Sequence, residues 1–430
     1  MDNVVVDNCT LRKKYRMLMK FFNPPENYLY RQDIIAGITV GIITIPQAMA
    51  FALLAGLPPI YGLYGALIPL VVYALFGTSN YLNVGPVSVI SIFVYDSLTP
   101  FVDPFTPEFI IAVVNLGLLI GLIQVLSGLF QLGRFVNYLP KSVVSGFVQA
   151  AAVVIIISQL SPAFGVPISS KVSYAERLYQ LGLSVSDFNL FTTELFIGSL
   201  LLLFIAGRFV PQFPTAIVLL LTTGISAYFF DFESLGIALI GEVPQGLPTF
   251  ISPKFNQDFW RYIPSAFGIA FVTSIGSFVM AKNVEDQQSS PWKPNQDLIA
   301  LGLTKIASAF FGSLVPAGSF NRSILVIKSG AKTQLASLVA AVILLFTLLF
   351  LTPIVYYLPQ SVIAAIIVYS VYFLFDFPLI LHFWTKDKKQ FTYLFATAVT
   401  TLSIGFVEGI LLGLVIVILG QNFFNSKKSS

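Results

Sequence analysis

Arg322 sits in the run Gly318-Ser319-Phe320-Asn321-Arg322-Ser323, a permanent cation at the head of a short apolar segment. Asn321 and Ser323 beside it can donate hydrogen bonds, as can Ser88 in Gly85-Pro86-Val87-Ser88. A guanidinium with neutral donors and no acid among them suits the capture of an anion rather than proton transfer or metal binding. An arginine at the centre of a bilayer costs about 2.5–3.5 kcal/mol or more, which an ordinary snorkelling arginine avoids by lying near an interface. The place of Arg322 at the start of a half-length segment favours a functional role, either as a ligand or through its field.

Two further positions carry weaker chemistry. Gln47 follows Pro46 in Ile45-Pro46-Gln47-Ala48-Met49-Ala50-Phe51, where the proline is expected to break the helix in mid-membrane. Its amide reads equally as a ligand or as a hydrogen bond between packed helices. Ser277 shares the stretch 262–283 with Thr273, Ser274, Gly276 and Lys282, and this stretch has no Asp or Glu before Lys282. Intramembrane carboxylates are the usual partners of protons or sodium in coupled carriers, so their absence bears on coupling. Ser277 is either an anion contact or a small residue that lets helices approach.

Other chemistries do not assemble. The sequence has no P-loop, no histidine-based triad and no cluster of catalytic carboxylates, so an enzyme is not expected. Cys9 and His382 are each the only residue of their type, which leaves no intramolecular disulfide, no Cys/His metal site and no cofactor to hold. A net charge of +4 in 430 residues gives no case for nucleic acid.

The elements that must position these residues are membrane helices. Hydrophobic residues make up 56% of the chain and charged residues 10%, against about 25% charged in soluble domains. Mean hydropathy is +0.84. No signal-peptide pattern precedes the basic stretch 11–20. Hydrophobicity read against Gly, Pro and charge gives roughly fourteen segments in an all-α polytopic membrane protein. They fall near 33–53, 59–76, 86–98, 108–130, 141–160, 190–209, 214–230, 262–283, 296–315, 320–328, 333–356, 360–377, 389–407 and 408–424. Lys and Arg gather on one side (Arg12 to Lys20, Arg134, Lys141, Arg208, Lys282, Lys328, Lys386 to Lys389, Lys427 and Lys428), with Lys171, Arg177, Lys254 and Arg261 as exceptions. That bias predicts an even number of spans with both termini cytoplasmic.

Segments three and ten are too short to span, and each follows a poor helix former, 78–85 and 312–318. They hold matching places in two halves of seven, and an odd number gives the halves opposite topology. Paired interrupted segments are the sequence pointer to a transporter site. Half-helices meeting at the midplane would present free N–H groups and roughly half a positive charge each to an anion.

The runs Asp33-Ile-Ile-Ala-Gly-Ile-Thr-Val-Gly, Ile45-Pro-Gln-Ala-Met-Ala and Leu57-Pro-Pro-Ile-Tyr-Gly-Leu-Tyr64 resemble the first two helices of the SulP family of sulfate permeases and anion exchangers. Asn295-Gln-Asp-Leu-Ile-Ala-Leu-Gly302 and Gly330-Ala-Lys-Thr-Gln-Leu335 resemble its second half. The resemblance implies a UraA-like 7+7 inverted repeat divided into core and gate domains, with the core built from segments one to four and eight to eleven. By domain it implies a cytoplasmic segment 1–32, a first repeat 33–230, an extracytoplasmic connection 231–261, a second repeat 262–424 and a tail 425–430. Carried over by motif, Gln47 and Phe51, Val87 and Ser88, and Asn321 and Arg322 line the family's pocket. Family members move sulfate, bicarbonate, chloride or dicarboxylates by an elevator-like motion, commonly as homodimers.

Two departures qualify that reading. The acid that many members carry in the eighth helix, tied to sodium or proton coupling, falls here near Gly276. The soluble STAS domain that usually follows the last helix is not expected within a chain ending at Lys427-Lys428-Ser429-Ser430. The leading expectation is a secondary transporter of small inorganic anions, nominally sulfate, in a bacterial inner membrane. An uncoupled anion conductor and a nucleobase permease of the same fold are the alternatives.

Overall fold

This computed structural model describes residues 30–133, 140–168, 174–210, 215–241, 246–255, 257–288, 292–352, 356–373, 375–404, 409 and 412–417. The basic N-terminal stretch, Cys9, most of the predicted fourteenth span and the tail lie outside them.

The first half contains α1 (Tyr30–Leu54), α2 (Pro59–Phe76), β1 (Val84–Gly85), α3 (Ser88–Leu98), α4 (Pro107–Leu129) and α5 (Lys141–Phe164). It continues through α6 (Tyr174–Leu183), α7 (Leu190–Phe209) and α8 (Thr215–Phe230). The second contains α9 (Gln257–Arg261), α10 (Ile263–Gln288), α11 (Pro294–Ala309), β2 (Ala317–Gly318), α12 (Phe320–Lys328) and α13 (Leu335–Phe346). After α13, which widens into a π-helical turn over Thr347–Leu351, come α14 (Gln360–Tyr372), α15 (Phe377–Lys386) and α16 (Lys388–Ser403). Six helices are long and apolar enough to cross a bilayer among the described residues. Large side chains such as Leu126, Leu201, Ile205 and Phe209 stay exposed along them, as a lipid-facing surface requires.

The structure departs from the sequence reading in three places. Pro46 does not break its helix: α1 runs unbroken from Tyr30 to Leu54. Membrane helices tolerate proline where packed neighbours re-satisfy the freed backbone groups, and Pro46 is itself buried. The segments read as connections at 174–183, 257–261 and 377–386 are helical. The interruptions before α3 and α12 are two-residue strands that pair antiparallel, with Val84 opposite Gly318 and Gly85 opposite Ala317.

The packing repeats itself when the halves are exchanged. α13 packs on α1 as α4 packs on α10, α13 on α2 as α4 on α11, and α16 on α5 as α7 on α14. The β1–β2 pair maps onto itself. Helices α1–α4 with α10–α13 form one packed group, and α5, α7, α8, α14 and α16 form another. The main contacts between groups are those of α14 and α8 with α1, and of α5 with α3.

Glycines and carboxylates fix the first group. A Cβ on Gly62 would lie 1.9 Å from the Ala48 carbonyl oxygen, so α1 and α2 touch backbone to backbone. Asp297, in the first turn of α11, accepts hydrogen bonds from Thr78 N (2.6 Å), Thr78 Oγ1 (2.7 Å), Tyr73 Oη (2.9 Å) and Trp292 Nε1. Asp33, in the first turn of α1, accepts from Lys332 N (2.8 Å) and from Thr333 Oγ1. Both motif carboxylates are therefore tethers between the halves, with their oxygens already engaged.

Two stability outcomes follow from these contacts. Gly62→Ala is expected to lower stability by about 1–3 kcal/mol, because the obstructing atom is backbone and cannot turn aside. Asp297→Asn should cost about 1.5–3 kcal/mol by weakening bonds to a charged acceptor and presenting an NH2 to donors. Thermal unfolding of purified protein in detergent checks both, and an unchanged melting temperature would contradict either.

Candidate anion site at the crossing of two half-helices

The β1–β2 pair sets the beginnings of α3 and α12 side by side. Arg322, in the first turn of α12, crosses to the other segment: Nε donates to Asn83 Oδ1 (2.8 Å) and Nη1 to the Pro86 carbonyl (2.9 Å). Ser319 N donates to the Asn83 carbonyl (2.9 Å), and Ser323 Oγ accepts from Asn83 N (2.9 Å). Gln334 Nε2 holds the Ser79 and Leu82 carbonyls at 2.9 and 3.0 Å. A Cβ on Gly85 would come within 3.0 Å of Arg322 Nη2, so glycine there leaves room for the guanidinium.

Arg322 is 1% exposed, yet its Nη2 and the neighbouring Asn83 Nδ2 have no hydrogen-bond partner among the described residues. Buried donors are normally paired. The half-helix ends differ too. Ser319 caps α12 by accepting from Arg322 N, whereas Val87, the N-cap of α3, offers no side-chain cap. The first N–H groups of α3 thus receive no bond from the cap side chain. A free guanidinium N–H group, a free amide N–H group and an uncapped helix start make a site that offers donors and positive potential.

The predicted residues divide on inspection. Arg322 and the α3 start, with Val87 half-buried and Ser88 buried, come together at the crossing. Gln47 on α1 and Asn321 on α12 converge on Ser370 of α14: Gln47 Nε2 lies 3.5 Å from Ser370 Oγ, and Asn321 Nδ2 donates to the Ser370 carbonyl at 3.0 Å. Phe51 is buried one turn beyond Gln47 on the same face of α1. Ser277 and Ser323 are engaged with backbone: Ser277 Oγ accepts from Gly318 N (3.0 Å), as Ser323 accepts from Asn83 N.

Asn83 and Ser370 escaped the sequence reading. Asn83 stands in the irregular run 78–85, and its polarity in an apolar context was its only signal. Ser370, in Val368-Tyr369-Ser370-Val371, resembles any small residue of a packed helix. A cleft of about 420 Å³ opens between the two packed groups at the end of α1 away from Tyr30. Its wall includes Ala50, beside Phe51, and Ile92, one turn beyond Ser88.

The family profile described as the sulfate permease family matches residues 30–397. The sulfate transporter 4.1 of Arabidopsis thaliana chloroplasts is 35% identical over 392 residues, which is 89% of this chain and 57% of that protein. The chain thus spans somewhat over half the length of that relative. The murine Solute Carrier 26 family member A9, an anion transporter solved in the inward-facing state, superposes with a TM-score of 0.86 at 24% identity, over 98% of this chain and 73% of that one. The transmembrane domain of the cyanobacterial bicarbonate transporter BicA gives a TM-score of 0.76 at 23% identity, over 90% and 97%. These likenesses establish the UraA-like helical membrane fold. With its two interrupted half-helices and its motifs matched through both halves, this integral membrane chain belongs to the sulfate permease family.

Proposed function

We propose that the protein is a secondary carrier of small inorganic anions, nominally sulfate, which bind between the N-termini of α3 and α12. The observation that carries this reading is the pair of unpartnered donors, Arg322 Nη2 and Asn83 Nδ2, buried beside the uncapped start of α3. An acceptor-only ligand satisfies both without any proton transfer. The 35%-identical relative is named a sulfate transporter, which supports sulfate first; the superposed bicarbonate transporter keeps bicarbonate second. Chloride remains a third candidate.

Transport follows an elevator-type cycle in which α1–α4 with α10–α13 act as the core and α5, α7, α8, α14 and α16 as the gate. The sparse contact between these groups supports their relative motion. The bonds of Gln47 and Asn321 to Ser370 cross that boundary, so they break as the core moves. Phe51, Val87 and Ser88 serve as the pocket's wall, while Ser277 and Ser323 act by holding its backbone. A homodimer in a bacterial inner membrane, with both termini cytoplasmic, is the assembly that fits the loop charges and the family.

An uncoupled anion conductor is the second reading, favoured by the lack of any Asp or Glu in α10 between Ile263 and Ala281. Planar-bilayer recording separates the two, since a conductor gives large anion currents and a carrier gives saturable counterflow. A nucleobase permease of this fold would reveal itself by uracil or xanthine competition in the same flux assay.

Arg322→Ala in proteoliposomes is expected to reduce sulfate uptake by roughly ten- to a hundredfold, the equivalent of one or two hydrogen bonds to a charged group. Radiolabelled sulfate and bicarbonate uptake measures it, with a melting curve to show that the variant is folded. Uptake and affinity like those of the unaltered protein would remove Arg322 from the site.

A further inference from the structure

The cleft of about 420 Å³ between the two packed groups has two charged residues among its described walls, Asp96 and Arg177. They come from opposite sides of the boundary. Asp96 is in the last turn of α3, in the group that holds the anion site. Arg177 is in α6, which packs on α5 of the other group. Tyr174, the first residue of α6, donates from its Oη to Asp96 Oδ2 at 3.2 Å. The Arg177 guanidinium carbon lies 5.5 Å from the centre of the Tyr174 ring, a cation–π distance. Its charge also acts on the Asp96 carboxylate. One tyrosine ring is thus held by an acid at its hydroxyl and a cation over its face.

The surroundings give this cluster weight. None of the ten residues of α6 is buried, so the helix gains little from apolar burial and polar ties count for more in holding it. Arg177 is also one of four basic residues that fall on the side away from the other Lys and Arg. Such a cation is an exception in membrane topology, and here it faces an acid across the cleft.

The cluster and the anion site share a helix. Asp96 is eight residues beyond Ser88, about 12 Å along the α3 axis, and Ile92 between them lines the same cleft. At the start of α3 the seam between groups is crossed by the bonds of Gln47 and Asn321 to Ser370. At its end the seam is crossed by the bond of Tyr174 to Asp96. A slide of more than about 1 Å along that seam takes the pair beyond hydrogen-bond reach. We propose that Asp96, Tyr174 and Arg177 form a latch between core and gate, which holds the carrier in this arrangement and opens in every transport cycle. The inference rests on the elevator-type reading above. It makes the three positioning residues, acting on the movement of α3 and not on the anion itself.

Spin labels test it in the full chain with Cys9→Ser, at Glu108→Cys in α4 of the core and Glu194→Cys in α7 of the gate, both exposed positions. Pulsed electron resonance in lipid nanodiscs then reads the separation of core and gate, with and without sulfate. Tyr174→Phe should lower the population of the present separation, relative to a second one, by roughly three- to tenfold, the worth of one hydrogen bond. Asp96→Ala should shift it in the same direction, and adding Tyr174→Phe to Asp96→Ala should shift it no further. Two separations in a ratio that neither variant changes, or shifts that simply add, overturn the latch and leave the carrier standing. One unchanging separation in every protein overturns the latch and the elevator-type cycle together. Tyr174→Phe decides the matter alone where Asp96→Ala fails to fold.

Discussion

Arg322 and Asn83 are 239 residues apart in sequence, more than the length of a repeat, and meet through a 2.8 Å hydrogen bond from the guanidinium Nε to the amide Oδ1. Around that bond, the Pro86 carbonyl takes a second guanidinium N–H and the backbone strands pair over two residues on each side. Half-helices within a membrane leave ends whose polar groups water cannot reach, and each needs a partner or costs several kcal/mol. Each interrupted segment supplies partners for the other. Neither could sit in the membrane alone, so the inverted repeat is held together at the place where its regular structure stops.

The same economy explains the acids. A buried carboxylate whose oxygens accept several donors is held immobile, which makes it a strong fastener. Asp33 and Asp297 are both of this kind, joining the start of one helix to a loop from the other half. The cations behave differently. Among the described residues, Arg322 retains a free N–H group and the buried Lys305 amine has no hydrogen-bond partner. Asp33 and Asp297 thus hold structure, while Arg322 keeps capacity for a ligand.

Helix packing within the first group is close enough to forbid a methyl at Gly62, and Gly121 and Gly302 likewise bring α4 and α11 backbone to backbone. Membrane helices gain little from the hydrophobic effect once inserted, so such close approach supplies much of their cohesion. Between the two groups the contacts are fewer, and polar ties such as Asn321 to Ser370 lie among them. A stiff body joined to its neighbour by a thin, partly polar seam is the arrangement that permits one to slide against the other.

Membrane insertion, the all-helical class and the halving of the chain were legible in the sequence, because lipid demands runs of about 20 apolar residues and breaks are conspicuous against them. The short segments at 86–98 and 320–328 were placed within a residue or two of α3 and α12. Arg322 declared itself as a lone cation in apolar surroundings. The sequence could not show that Ser277 and Ser323 each accept a backbone N–H through Oγ, since a serine that does so has the same neighbours in the chain as one that does not. Nor did it disclose Asn83 as the partner of Arg322, or Ser370 as the meeting point of Gln47 and Asn321. Local pattern decides which segments enter the membrane, because insertion depends on each segment's own transfer free energy. Which donors find acceptors depends on residues brought together from opposite halves of the chain, and only the folded structure decides that.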